Sequence, residues 1–165
     1  MHMWNTLKVV SLALLIAVPA VQAQAPAKKK EPPRLVPIAE TRLLMEGLAH
    51  PDFQGLEKIL SGDGKDKESW EFGRGQSILL AETANLLMLR PPRNTGQDAW
   101  MQHASKFRDA ATDLARIMAR QDREAGRAGL VALSAQCNSC HQTFRIATKI
   151  TAFSTMDSRP PSRNP

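Results

Sequence analysis

Six side chains, Trp100, Ala104, Phe107, Ala111, Leu114 and Met118, recur at alternating intervals of four and three residues. No other feature constrains the fold as much, because a helix of 3.6 residues per turn returns those positions to a single face. An apolar seam of this length must be buried against other helices. A second seam runs through Leu130, Leu133, Cys137, Cys140 and Phe144, in a helix expected from about 123 to 150.

Two upstream segments carry the same period. From about 66 to 90, Phe72, Leu79, Leu80, Leu86 and Leu87 occupy adjoining heptad rows, and Pro91-Pro92 ends the run. Before it, Pro37 suits a first helical turn, and IAETRLLMEGLA places Ile38, Arg42, Met45 and Leu48 on one face. His50-Pro51 should stop that helix, since proline disfavours helical geometry at the residue before it. Asp52 then caps a short piece, FQGLEKIL, closed by Ser61-Gly62-Asp63-Gly64. That turn has too few acidic ligands for a calcium loop. Strand alternation is almost absent. Long helices with short links favour antiparallel neighbours, so the expected fold is all-α, an antiparallel up-and-down four-helix bundle over 36–150.

The chain ends read differently. MHMWNTLKVVSLALLIAVPAVQAQA has a basic Lys8, an apolar run from Val9 to Val18, and small residues at Val21 and Ala23. This is the layout of a secretory signal peptide over 1–23, cut after Ala23, rather than of an uncleaved anchor. Removing 23 of 165 residues leaves 142. Residues 24–35, rich in Pro and Lys, read as a flexible leader, and 151–165 as a disordered tail. The protein is therefore expected in the periplasm, with no membrane span after signal cleavage.

Lys and Arg number 22 against 16 Asp and Glu, a net charge of +6, or +5 once Lys8 is removed. Such a balance suits encounter with an acidic patch on a partner. No basic stripe interleaved with aromatics is present, which argues against nucleic acid as a partner.

The only two cysteines stand in Cys137-Asn138-Ser139-Cys140-His141. On a helix, positions three and four apart share a face, so both thiols and the imidazole project together. Two thiols can then meet the two vinyl groups of one porphyrin while the imidazole reaches its iron; CxxCH is the signature of c-type haem attachment. Other chemistries use the same residues. A disulfide between positions i and i+3 would strain a continuous helix, and a thioredoxin-like dithiol needs its nucleophilic cysteine at a helix N-terminus. Zinc would need a further Cys or His at ligand spacing. A dithiol or zinc protein without haem thus stays as a remote alternative.

The segment CNSCHQTFR, in the last of four helices, with Phe144 and Arg145 following the motif, resembles the cytochrome c′ family, the class II c-type cytochromes. The resemblance implies a bundle enclosing one covalently attached haem c per chain. Cys137 and Cys140 would be its thioether anchors, His141 the proximal iron ligand, and Arg145 a contact at the haem edge or a propionate. It further implies that the first helix supplies the distal face. Low-spin members of the family place a methionine there and carry electrons, whereas high-spin members place an apolar residue there and bind NO or CO. Met45 is the candidate distal ligand and Arg42 a candidate propionate contact, although their interval of three departs from the family's commoner four. Met88, Met118, His50 and His103 are alternatives by residue type alone. The implied function is an exported electron carrier, not an enzyme, served by haem-attachment machinery and exchanging electrons with a redox partner protein. The alternative is a five-coordinate haem protein that binds NO or CO, with Leu43 or Leu44 over the iron. A homodimer through outer helix faces is a further candidate, as in several relatives.

Overall fold

The computed structural model describes residues 33–62 and 66–153. The expected signal peptide, most of the leader and the tail from 154 onward lie outside the described residues. Four helices occupy the described part. Helix α1 passes through three contiguous stretches, Thr41–Leu44, a π-helical Met45–Ala49, and His50–Ser61. Helix α2 spans Lys67–Met88, α3 Gln97–Ala119 and α4 Arg123–Thr143.

Local chemistry sets most of these boundaries. Asp66 caps α2 by accepting hydrogen bonds from the Ser69 amide and hydroxyl, both at 2.7 Å, and Asp122 caps α4 by accepting from the Ala125 amide at 3.0 Å. Pro91-Pro92 follows the end of α2 as expected. Gly96 precedes α3 with φ of 83°, a left-handed conformation that glycine adopts without steric cost. Each helix packs on its neighbour in sequence, and α1 closes the ring on α4. The architecture is an all-α, antiparallel up-and-down four-helix bundle, with no strand among the described residues.

The α3 seam forms as its spacing predicts. Ala104, Phe107, Ala111, Leu114 and Met118 are buried, with Trp100 half-buried at the start. Leu130 and Leu133 of the α4 seam are fully buried. In α2 only part of the expected row is inside: Leu80 and Leu87 are buried, Leu86 is half-buried, and Phe72 and Leu79 face solvent.

The first helix departs most from expectation. It begins at Thr41 rather than Pro37, and Ile38 lies before it, exposed. Helix α1 also continues through Pro51, where a stop was expected. Proline lacks an amide proton, and its ring clashes with the carbonyl four residues back, here Gly47. The π turn answers this directly: the His50 amide donates to the Met45 carbonyl, five residues back, which widens the turn just before the proline. Asp52 therefore lies inside a helix instead of capping one, and its side chain is buried. The buried face of α1 is Leu44, Phe53, Leu56 and Leu60; Arg42 and Leu48 are exposed and Met45 is half-buried.

Helix α4 stops at Thr143 instead of running to Ile150. The Ile146 amide donates to the His141 carbonyl at 2.8 Å and the Arg145 amide to Gln142 at 3.3 Å, with Arg145 at φ of 56°. This is a complete Schellman stop with arginine in the left-handed position that usually holds glycine. Residues 146–153 then double back as an extended strap. Ile150, Ala152 and Phe153 pack against the core, so the strap reaches into the stretch expected as tail. The Phe153 amide donates to Glu57, and the Arg127 guanidinium lies 3.8 Å from the Phe153 ring centroid.

Candidate functional site

The motif occupies the last two turns of α4, nearer the helix end than its seam suggested. Antiparallel order brings this end together with the start of α1, the end of α2 and the start of α3. Arg90 donates to the Ala39 carbonyl at 3.0 Å, and Trp100 Nε1 to the Leu87 carbonyl at 2.7 Å. The Trp100 ring meets Phe144 edge-on, with centroids 5.2 Å apart. Trp100 thus seals the motif end. Trp70 serves the opposite end, with Arg123 stacked 5.4 Å from its ring centroid.

Cys137 and Cys140 are both free and half-buried. Burial, and then the neighbouring Cys140, push the Cys137 thiol up to about 12; burial also raises Cys140. Both are thiols at neutral pH, the opposite of the depressed pKa that a dithiol nucleophile requires. Among the described residues no three His, Cys, Asp or Glu side chains gather closely enough to hold a metal ion. The geometry therefore suits a partner that reacts with two thiols on one helical turn.

His141 is half-buried, and its Nδ1 lies 2.7 Å from the Thr148 carbonyl of the strap. A carbonyl only accepts, so Nδ1 carries a proton, and in the neutral ring Nε2 is the nitrogen with a lone pair. Metal-binding histidines are held in this way, with the second nitrogen donating to a backbone carbonyl or carboxylate. Two thiols and one oriented imidazole nitrogen on a single turn fit a c-type haem.

The other candidates by residue type are spread over the molecule, with His103 and Met88 at the motif end. His103 Nε2 lies 2.9 Å from Thr143 Oγ1, whose hydroxyl donates to the Ser139 carbonyl at 2.9 Å, so the His103 nitrogen is the donor. Burial first, and Lys106 second, lower the His103 pKa. His50 is exposed. Met118 is fully buried at the opposite end, where a methyl on Gly73 would overlap its terminal methyl. Met88 is half-buried near the end of α2.

Met45 opens the π turn and packs half-buried on the core. Its height relative to the motif follows from the register of α1 on α4. Leu60 accepts from Arg123 at 3.3 Å and from Arg127 at 3.0 Å. Met45 lies fifteen residues before Leu60, and fifteen residues beyond Arg123 and Arg127 are positions 138 and 142. Counted along the two helices, with the π turn shortening α1 slightly, Met45 falls near the level of the motif. Its neighbour Leu44 is the more deeply buried of the two. Arg42 is exposed and paired with Glu46 at 2.8 Å. Arg145 is likewise exposed, and its backbone forms the helix stop. Two shallow clefts, one lined by Ile59, Asp66 and Phe72 and the other by Trp70, Arg74 and Met118, lie at the opposite end and include none of the motif residues.

Sequence reasoning missed Asn138 and Thr148. Asn138 has no assigned role in the sequence reading, and a helix running to about 150 includes Thr148. The β-branched run Thr148, Ile150, Thr151 was the available signal, because such residues have low helix propensity.

A family model described as cytochrome C′ matches residues 95–145, a stretch that holds α3, α4 and the CNSCH motif. Comparison with curated proteins and with solved structures finds no significant match. No helix among the described residues is long and apolar enough to cross a membrane.

Proposed function

We propose, from the match of residues 95–145 to the cytochrome C′ family model, that the chain is an exported, monohaem c-type cytochrome that carries electrons and is not itself an enzyme. Cys137 and Cys140 would hold the haem as thioethers, and His141 Nε2 would be the iron ligand beside them. Bound haem supplies a one-electron couple between ferric and ferrous iron.

The observation that carries this reading is the commitment of His141 Nδ1 to the Thr148 carbonyl, beside two unpaired thiols on the same turn. The chain contributes binding, orientation and exclusion of water. The thiols would hold the cofactor covalently, the oriented imidazole would offer Nε2 to its iron, and the apolar side chains of the motif end would supply a low-dielectric wall. Met45 is the distal ligand in this reading, supported by its level with the motif and its partial burial. A thioether there favours the ferrous state and fills the coordination sphere, which suits electron transfer. Arg42 and Arg145, both exposed at this end, are the candidate propionate contacts. The basic balance of the chain, +6 overall, favours a redox partner with an acidic patch.

Deep burial of Leu44 favours the second reading, in which an apolar residue covers an open iron that binds NO or CO. Spectra of the protein matured with haem-attachment machinery separate the two. A carrier gives low-spin spectra indifferent to CO, and Met45→Ala then opens the iron to CO and lowers the potential. Wild-type spectra that are high-spin and shift on CO, with no change in Met45→Ala, would replace the carrier by the gas-binding protein.

A further inference from the structure

Asn138, a variable position inside CxxCH, makes two hydrogen bonds to one residue of the strap. Its Nδ2 donates to the Ile150 carbonyl at 2.7 Å, and its Oδ1 accepts from the Ile150 amide at 2.8 Å. A carboxamide bonded to both backbone groups of one residue fixes that residue in distance and in rotation. Two residues upstream, the Thr148 carbonyl accepts from His141 Nδ1 at 2.7 Å. Behind the clamp, the Schellman stop at Arg145 sets where the chain reverses. Ahead of it, Ile150, Ala152 and Phe153 dock on the core, and the Phe153 amide is tied to Glu57 of α1. The strap is therefore anchored on both sides of Thr148.

We propose that Asn138 is a positioning residue for the iron ligand: its clamp on Ile150 holds the Thr148 carbonyl against His141 Nδ1, which fixes the imidazole tautomer and strengthens Nε2 as a donor. The inference rests on the proposed haem ligation and adds to it a device that the CxxCH signature does not contain. Asn138 precedes His141 by three residues, so it lies on the same face of α4 and can reach the strap that the histidine reaches. Strap and helix end then act as one unit, and the partner of the ligand's second nitrogen comes from a chain segment outside the bundle helices.

The test uses the mature holoprotein and two variants that break the clamp from opposite sides. Asn138→Leu removes both side-chain bonds at similar volume, whereas Ile150→Pro removes the amide that Asn138 accepts. Covalent haem content is measured first, then solvent exchange of the His141 Nδ1 proton by nuclear magnetic resonance of the reduced protein, then the reduction potential. In both variants haem stays attached, exchange of the Nδ1 proton quickens by at least about tenfold, and the potential rises as the imidazole becomes a weaker donor. Unchanged exchange and potential, even with a lower melting temperature, would make the clamp merely structural and overturn the inference. A wild-type chain that matures without haem sinks the ligation reading instead. The clamp is then judged on that haem-free chain by the same proton exchange, where an unaltered rate in the variants counts against it.

Discussion

The two ends of the bundle are built differently. Toward the end away from the motif, Leu56, Leu60, Leu114, Met118 and Leu130 are each no more than 1% exposed. Helices there approach at glycine: a Cβ on Gly126 would lie 2.8 Å from a Leu60 methyl. The Arg123 guanidinium bridges the carbonyls of Ile59, Leu60 and Gly62 and closes the exposed end of α1. At the motif end Leu44, Leu87 and Ala104 are buried, but Met45, Leu86, Met88, Trp100, Phe144 and Ile150 are only half-buried, and so are both cysteines. One end completes its core with its own side chains. The other leaves apolar surface around two thiols and an oriented imidazole, the surface that a porphyrin would cover.

The contrast makes mutational predictions that differ by end. Leu60→Ala removes a fully packed side chain and should destabilise the chain by about 2–5 kcal/mol in urea unfolding, whereas Met88→Ala in a haem-free Cys137→Ala/Cys140→Ala background should cost only about 1 kcal/mol. Equal losses at both ends would erase the distinction. Gly126→Ala comes next. The added methyl meets Leu60 at 2.8 Å, and overpacking of this kind costs about 1–3 kcal/mol. A neutral result would show that the closed end has slack.

The smallest effect falls between the two ends. Asp52, eight residues before Leu60, is buried, with no partner for its Oδ2 among the described residues, and burial raises its pKa above the ordinary 3.8. The folded state therefore favours the protonated acid. Its unfavourable contribution is absent below the unfolded value and grows as pH rises through the carboxylate range toward neutrality. Asp52→Asn should thus raise the melting temperature at pH 7, with the gain shrinking as pH falls through the carboxylate range and gone below about 4. A gain that is equal at both pH values would assign it to packing rather than to charge.

Much of this contrast was legible in the sequence, for definite physical reasons. The α3 seam from Trp100 to Met118 could be read because strict four-three spacing has one structural solution. The motif could be read because covalent haem attachment demands residue types at fixed intervals. Helix α1 was hidden because proline rules describe local cost, and the π turn at Met45–Ala49 relieves that cost by a route the rules omit. The solvent-facing Phe72 and Leu79 fit the heptad rows equally well, since periodicity names faces but not which face meets a neighbour. The strap escaped for a related reason. Its helix stop uses Arg145 in a left-handed conformation, with no glycine to announce it. Met45 and Arg42 lie outside the matched stretch 95–145, so the sequence specifies the CNSCH motif better than it specifies any role for these two residues.

The most direct measurement is the intact mass, under denaturing conditions, of the protein exported with haem-attachment machinery, beside its Cys137→Ala/Cys140→Ala variant. If the half-packed end is built around a covalent cofactor, the wild-type chain gains the mass of one haem that denaturation does not remove, and the variant gains none. A wild-type chain at its bare polypeptide mass, with both thiols open to alkylation, would contradict that assignment and return the motif end to an unexplained apolar surface.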